Sequence, residues 1–585
     1  MKRILILLSL VIPVMMSAGP VSRDAARKCA DAFFSSGPAV RSTVSQARLV
    51  WTGEPEGSAT EPAFYVYARP SGGFVIVSGD DAHGPVLAWS EDSEFVAEDM
   101  PDNVKWWLDE LRTGILSDRA AGVMPDSRTQ EAWAALQSSG TMDRDTGALL
   151  LETALWNQYS PFNDRCPVVN GSRTPTGCVA TAMAIIMRYH KWPVAGQGTF
   201  ASYSYTSGGT TVTVPGYSLG RAYDWTNMPV DMSNYMEPQA DEVSRLMLDC
   251  GMSLSMKYEV AGSSASTTQM ISALVNYFDY DSAAKYLNRA SYSSGVWSEM
   301  LKANLRQYGP LSYRGSASSG SGGHSYVVSG YDTSDRFYVN FGWSGLYNGY
   351  YALPSIRTYN ADQAAIFFIS PAGRVEKKAS LCIYDVGVST TTTIAKIATT
   401  KRFDASTGTI FNMGSASFAG QLAFFRVDKD GNMGERLCTP FSVSIGSLYS
   451  SASVSVICTL QSSPNLGDVA RLYYCADGTE DWIPVPTSSD GLSNEIAIAD
   501  TPDKTIERVT TLSYAIETGI LTIKTKGYVK YVLTGEDGTN VVSGTSPASG
   551  RVVLETLKYP AGTYTMSFTR GSESHSLVIN LRNEL

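Results

Sequence analysis

Histidine is scarce in this chain: His83, His190, His324 and His575 are the only four in 585 residues. Cysteine is also sparse. None of the eight shows the paired close spacing of a zinc site, and eight are too few for a disulfide framework in a chain this long. No metal and no cofactor is expected. Positive charge is in deficit, with 46 Lys and Arg against 56 Asp and Glu and a formal net charge of -10. That balance argues against nucleic acid and anionic membrane surfaces as main partners. After the first 18 residues no stretch is long and apolar enough to span a bilayer as a helix, so no integral membrane segment is expected. The length exceeds what one core can hold and implies three or four domains, while 43% hydrophobic and 17% charged residues suit globular modules rather than disorder.

The N-terminus has a recognisable pattern. Lys2 and Arg3 precede an apolar run from Ile4 to Met16, and Met16-Ser17-Ala18 supplies small residues for cleavage. Residues 1–18 therefore read as a signal peptide, with a secreted, cell-surface or periplasmic location expected. Cys29 lies too far downstream for a lipid-anchored start.

Residues 19–143 read as a small α+β unit. Ala25 to Phe34 and Val104 to Ile115 have helical spacing, and Phe64 to Tyr67 and Gly73 to Ser78 read as strands around a Pro-Ser-Gly turn. Ser117 to Thr146 has the composition of an exposed, protease-accessible connector. Over 144–375 aromatics, glycines and serines become dense. Helices are expected at Asp241 to Leu254 and Thr267 to Tyr277, and two strands at Ser325 to Tyr331 and Arg336 to Asn340. Short alternating runs with Gly/Asp/Asn turns follow, the pattern of β-sandwich modules over 380–500 and 505–585.

The stretch Thr174 to Pro193 carries the chemistry. A Thr-Pro-Thr-Gly turn delivers Cys178 to the first turn of an apolar helix, where unpaired N–H groups and the dipole favour thiolate over thiol. Alone, such a cysteine is more often a buried small residue or half a disulfide. A thiolate nucleophile needs a base, and His190 sits twelve residues along the same helix, about 18 Å away at the helical rise. His83 and His575 belong to other domains. His324 remains, at a glycine-rich entry to a strand, where Gly322 and Gly323 are candidates for the substrate cleft. Asn340, sixteen residues on, would reach the imidazole and fix its tautomer if the two strands form a hairpin. Trp343 would shield that bond and line the cleft. The Cys178 N–H and the Gln158 carboxamide are the candidate oxyanion donors.

Several separated motifs carry a resemblance. Thr176-Gly-Cys-Val-Ala-Thr-Ala with Met187-Arg-Tyr-His-Lys-Trp-Pro193 resembles the cysteine motif of the streptopain-like (C10) cysteine peptidases. Gly322-Gly-His-Ser-Tyr-Val-Val-Ser-Gly-Tyr-Asp332 resembles their histidine motif, and Phe337 to Gly345 the segment after it. Trp156 to Asn163 is similar to the start of their mature domain, and Gly72 to Asp81 to their prodomain. The resemblance spans roughly 20 to 370. It implies an α+β architecture with a papain-like peptidase domain, secretion as a zymogen, and cleavage of protein or peptide substrates. It further implies that Cys178 is the nucleophile, His324 the base, Gln158 an oxyanion donor and Asn340 the orienter, with the 19–143 unit as an intramolecular inhibitor. Phe341 departs from the tryptophan that follows this asparagine in the family, and so supplies no indole N–H. The last stretch, Gly550 to Thr565, faintly resembles a secretion-sorting module. Two rival readings are a thiol amidase acting on cell-wall peptides and an adhesin or binding protein with an inert peptidase-like domain.

Overall fold

The computed structural model describes residues 19–581 except 36–46, 55–60, 71, 99, 126, 140–146, 208, 317–322, 354–362, 385–386, 488–492, 500–510, 516–519, 526–528, 537, 547–550, 557–558 and 571–572. The expected signal peptide, the end of the connector and Gly322 lie outside the described residues. The chain divides into two compact units, Met1–Lys378 and Ala379–Leu585.

The first unit mixes helices with one large sheet. Its strands in chain order are β1 (Arg48–Thr52), β2 (Phe64–Ala68), β3 (Phe74–Ser78), β4 (Val86–Ser90), β5 (Gly147–Leu150), β6 (Lys285–Asn288), β7 (Leu311–Ser316), β8 (Gly323–Asp332), β9 (Phe337–Asn340), β10 (Gly349–Tyr351) and β11 (Ala364–Phe367). The spatial order is β1-β2-β3-β4-β10-β9-β8-β7-β11-β6, with β5 also paired to β8. Its helices are α1 (Arg23–Ser35), α2 (Asp102–Ala120), α3 (Ser127–Ser139), α4 (Cys178–His190), α5 (Glu237–Ser253), α6 (Gln269–Phe278) and α7 (Ser294–Gln307). Thus the expected helices and strands are present, with boundaries moved by a few residues.

The expected division at 143/144 does not interrupt the sheet. β4 pairs antiparallel with β10, Tyr350 facing Trp89 and Tyr351 facing Ala88. Tyr350 is buried in the same cluster as Phe33, Val75, Trp89 and Trp133. The connector also differs from its expected form. Ser117 to Ala120 closes α2, and Ser127–Ser139 is helical, because Trp133 is buried and donates from Nε1 to the His83 carbonyl at 2.8 Å. Tertiary docking of one aromatic overrides a polar composition.

α4 is the central helix. Every residue from Val179 to Met187 is buried, so the helix is apolar on all sides, as a core helix must be. Alanine in place of Ile185 or Ile186 would cost about 2–5 kcal/mol at such sites. The helix stops where Lys191 turns left-handed (φ 47°) and Pro193 prevents continuation.

Among its described residues the second unit has strands as its regular structure apart from one short helix, Ile394–Thr400. One core contains Ile383, Phe403, Phe424 and Leu472, and a separate one Leu521, Leu533, Met566 and Phe568. Its main ladder pairs Phe418–Val427 with Val469–Ala476, and a four-stranded sheet includes Gly562–Arg570 and Glu573–Leu581.

Candidate active site

Cys178 occupies the first position of α4. Gly177 before it has φ 87°, a conformation that favours glycine, and a Cβ there would meet Met256 Sδ at 2.8 Å and the Ser263 carbonyl at 3.0 Å. The turn is pinned from three sides. Thr176 N–H donates to the Gln158 carbonyl at 3.0 Å, Ser263 Oγ to the Pro175 carbonyl at 2.7 Å, and Thr181 N–H to the Gly177 carbonyl at 3.0 Å. The first of these bonds brings Gln158, itself buried, beside the cysteine turn.

The opposite wall comes from β8 and β9. Ser325 N–H donates to Cys178 Sγ at 3.5 Å. His324, half-buried, is the adjacent residue on β8, so its backbone is one residue from the sulfur. The expected hairpin forms: β8 pairs antiparallel with β9, with Asn340 facing Val327. Asn340 is fully buried. Its Nδ2 donates to Thr153 Oγ1 at 3.1 Å and the Ala154 carbonyl at 2.9 Å, and Oδ1 accepts from Gly342 N–H at 3.0 Å. A carbonyl oxygen has two lone pairs, and the Gly342 N–H uses one of those on Oδ1.

The loop after β9 folds back onto α4. A Cβ at Gly342 would lie 3.0 Å from Thr181 Cγ2. Ser344 N–H donates to the Trp156 carbonyl at 3.0 Å, and Asn157 Nδ2 to Ser344 Oγ at 3.0 Å. Trp343, half-buried, places its ring 6.1 Å from that of Tyr159. Cys178, His324, Gln158, Asn340 and Trp343 are therefore drawn to one neighbourhood by segments far apart in sequence. Phe341 is buried between the rings of Tyr326 and Tyr351, at 5.4 and 5.3 Å. Gly323 pairs with Ser316 at the start of β8.

His190 is remote from this chemistry. Its ring packs edge-on against Tyr189 and Tyr280, and burial lowers its pKa to about 4, helped by the Arg374 charge and opposed by a bond to the Ile369 carbonyl.

One expectation is corrected. The helix N-terminus was expected to favour thiolate, yet the Cys178 pKa is raised above the usual thiol value. Burial of the sulfur is the largest influence. The N–H groups of Ser325, Val179 and Cys178 and the Arg314 charge all pull the other way without cancelling it. Neither the Ser325 N–H nor Arg314 was singled out from the sequence. Both depend on strand register, which the local pattern does not give.

A model of the peptidase C10 family matches residues 156–351, the segment that holds Gln158, Cys178, His324, Asn340 and Trp343, and a model of the Spi protease inhibitor matches residues 18–115. The chain belongs to the peptidase C10 family. It is 31% identical over 392 residues to the thiol protease/hemagglutinin PrtT of Porphyromonas gingivalis, covering 64% of this chain and 44% of that protein. The chain thus spans less than half the length of PrtT. Streptopain of Streptococcus pyogenes is 27% identical over 344 residues, covering 54% of this chain and 82% of streptopain. Among solved structures, a prointerpain A fragment from Prevotella intermedia shares 29% identity over 56% of this chain and 98% of its own, with a TM-score of 0.44. Interpain A itself shares 33% identity, over 38% of this chain and 95% of its own, with a TM-score of 0.32. The C10 family consists of cysteine peptidases, and the match at residues 18–115 makes the N-terminal part of this chain an inhibitor-like domain.

Proposed function

We propose that this C10 chain is an exported cysteine endopeptidase made as a zymogen, with Cys178 as nucleophile and His324 as general base and acid. The observation that carries the reading is the 3.5 Å bond from Ser325 N–H to Cys178 Sγ, which fixes the backbone next to His324 against the sulfur. Cys178 gives its proton to the imidazole and attacks the scissile carbonyl. The Cys178 N–H and the Gln158 carboxamide receive the oxyanion. His324 then protonates the leaving amine and activates water, which hydrolyses the thioester. Asn340 holds the imidazole, and its bonds to Thr153, Ala154 and Gly342 keep that carboxamide in a single orientation.

The zymogen part rests on β4. An inhibitor domain that extends the peptidase sheet through β4 and β10 is held by backbone bonds as well as side chains, so removing it requires cutting the chain between the domains. The connector residues 140–146 are the proposed place for that cut. Export is proposed from the N-terminal pattern; among the described residues no helix is long and apolar enough to cross a membrane.

The test is Cys178→Ala. It should abolish cleavage of a protein substrate and any self-processing, leaving the secreted chain uncut. Full cleavage by that variant would refute the nucleophile assignment.

A further inference from the structure

Arginine and lysine side chains that are partly withdrawn from water are often paired with a carboxylate. Such pairs form at Arg336 with Asp332, at Lys302 with Glu299 and Asp335, and at Arg245 with Glu242. Arg314 differs. Its half-buried guanidinium donates from Nη1 to Tyr286 Oη at 3.1 Å and has no carboxylate partner among the described residues.

Strand register says where this cation sits. Arg314 on β7 lies directly opposite Ser325 on β8 and opposite Ala364 on β11. Directly opposed residues in an antiparallel ladder present their side chains to the same face. Two residues further along the same ladders, that face carries Val327 and Ile366, which pack in the core cluster of α4. Ala364 is small enough for the Arg314 side chain to pass over it towards Tyr286, which faces Ile366 from β6. Arg314 therefore lies on the α4 side of the sheet, one strand spacing from the Ser325 amide that holds the sulfur. Its charge is felt at Cys178 Sγ, where it favours the thiolate. Of the five N–H donors of a guanidinium, Tyr286 uses one.

We propose that Arg314 forms a cationic subsite beside Cys178 that takes a carboxylate side chain of the peptide substrate, within about three residues of the scissile bond. The distance limit follows from geometry: an extended peptide advances about 3.3 Å per residue and neighbouring strands lie about 4.8 Å apart. A Glu or Asp side chain supplies a counter-ion that Arg314 does not find among the described residues, and the guanidinium fork suits a carboxylate better than a neutral amide. This inference rests on the peptidase reading and adds a substrate class to it.

The experiment compares kcat/KM of the processed protein on matched fluorogenic peptides carrying Glu, Gln or Leu, scanned over three positions on each side of the cleaved bond. At one position Glu should exceed Gln by about tenfold or more, the size of a hydrogen bond to a charged partner, and the preference should shrink as salt is raised. Arg314→Gln, which keeps a donor for Tyr286 Oη, should bring the Glu/Gln ratio close to one, and Arg314→Lys should retain part of it. An independent readout is alkylation of Cys178 by anionic iodoacetate relative to neutral iodoacetamide, whose rate ratio should fall in Arg314→Gln. A Glu/Gln ratio near one at every position in the native protein, or ratios unchanged in Arg314→Gln, would overturn the subsite. Failure to cleave any peptide, with Cys178 unreactive to both reagents, would instead overturn the peptidase reading and take the subsite with it.

Discussion

Trp89 donates its indole N–H to Asp332 Oδ2 at 3.2 Å, joining the inhibitor-like domain to the last residue of β8. Asp332 accepts from Arg336 Nε at 2.7 Å as well, and Arg336 Nη1 returns to the Val86 carbonyl at 3.1 Å. Trp89 also stacks on Tyr350 with ring centroids 4.5 Å apart. A buried carboxylate is thereby satisfied from both sides of the junction. Trp89→Phe keeps much of the stacking area and removes one bond to a charged acceptor, worth about 1.5–3 kcal/mol. The expected outcome is roughly a tenfold faster reaction of Cys178 with a bulky thiol reagent in the uncut chain, read by mass spectrometry over time.

Gly177→Ala tests the turn that presents the sulfur. The left-handed backbone at φ 87° costs a non-glycine residue about 1–3 kcal/mol, and the added Cβ meets a backbone carbonyl that cannot swing away. The variant should melt at a lower temperature and lose peptide cleavage by at least tenfold. A wild-type melting temperature together with wild-type kcat/KM would contradict this role.

His83 should make the inhibitor-like domain sensitive to acid. Burial lowers its pKa from the ordinary histidine value, with the nearby Asp118 charge opposing; Nε2 lies 3.5 Å from Asp118 Oδ2 without a hydrogen bond. The folded state therefore binds the proton less readily than the unfolded chain. Its contribution to stability is complete above the unfolded pKa near 6.5 and declines as pH falls towards the folded value. Chemical denaturation of the uncut Cys178→Ala chain should show lower stability at pH 5 than at pH 7.5. His83→Gln should flatten that difference.

In the second unit, Cys438 is expected to be the most reactive thiol. A hydrogen bond from Cys458 lowers its pKa below the usual thiol value, aided by the Phe424 N–H at 3.3 Å, while Cys458 itself is pushed up. At neutral pH Cys438 should therefore carry more thiolate than an ordinary cysteine. In a Cys178→Ala chain treated with limiting iodoacetamide at pH 7.5, peptide mapping should find Cys438 modified first. Equal modification of the six remaining cysteines would refute it.

The parts of the site that sequence made legible are the local ones. A Gly177 turn, an apolar run and a closing proline specify α4, and alternation with a short turn specifies the β8–β9 hairpin that brings Asn340 alongside β8. The rest depends on register between distant strands. Trp89 and Asp332 are 243 residues apart, and Arg314 reaches the site only because β7 pairs with β8 in one register. No periodicity encodes either pairing. The connector misled because Trp133 docks against His83, and the expected thiolate because desolvation of Cys178 exceeds what helix N–H groups return. The family resemblance reached further than the physical reading, since motif order carries the long-range arrangement that local spacing cannot.

The most direct measurement is mass spectrometry of the processed protein after treatment with an irreversible peptide-mimicking thiol electrophile. One adduct per chain is expected, on Cys178, with cleavage lost in proportion to labelling and the adduct nearly absent in His324→Ala. An adduct on any other cysteine, or full cleavage after Cys178 is blocked, would contradict the nucleophile assignment.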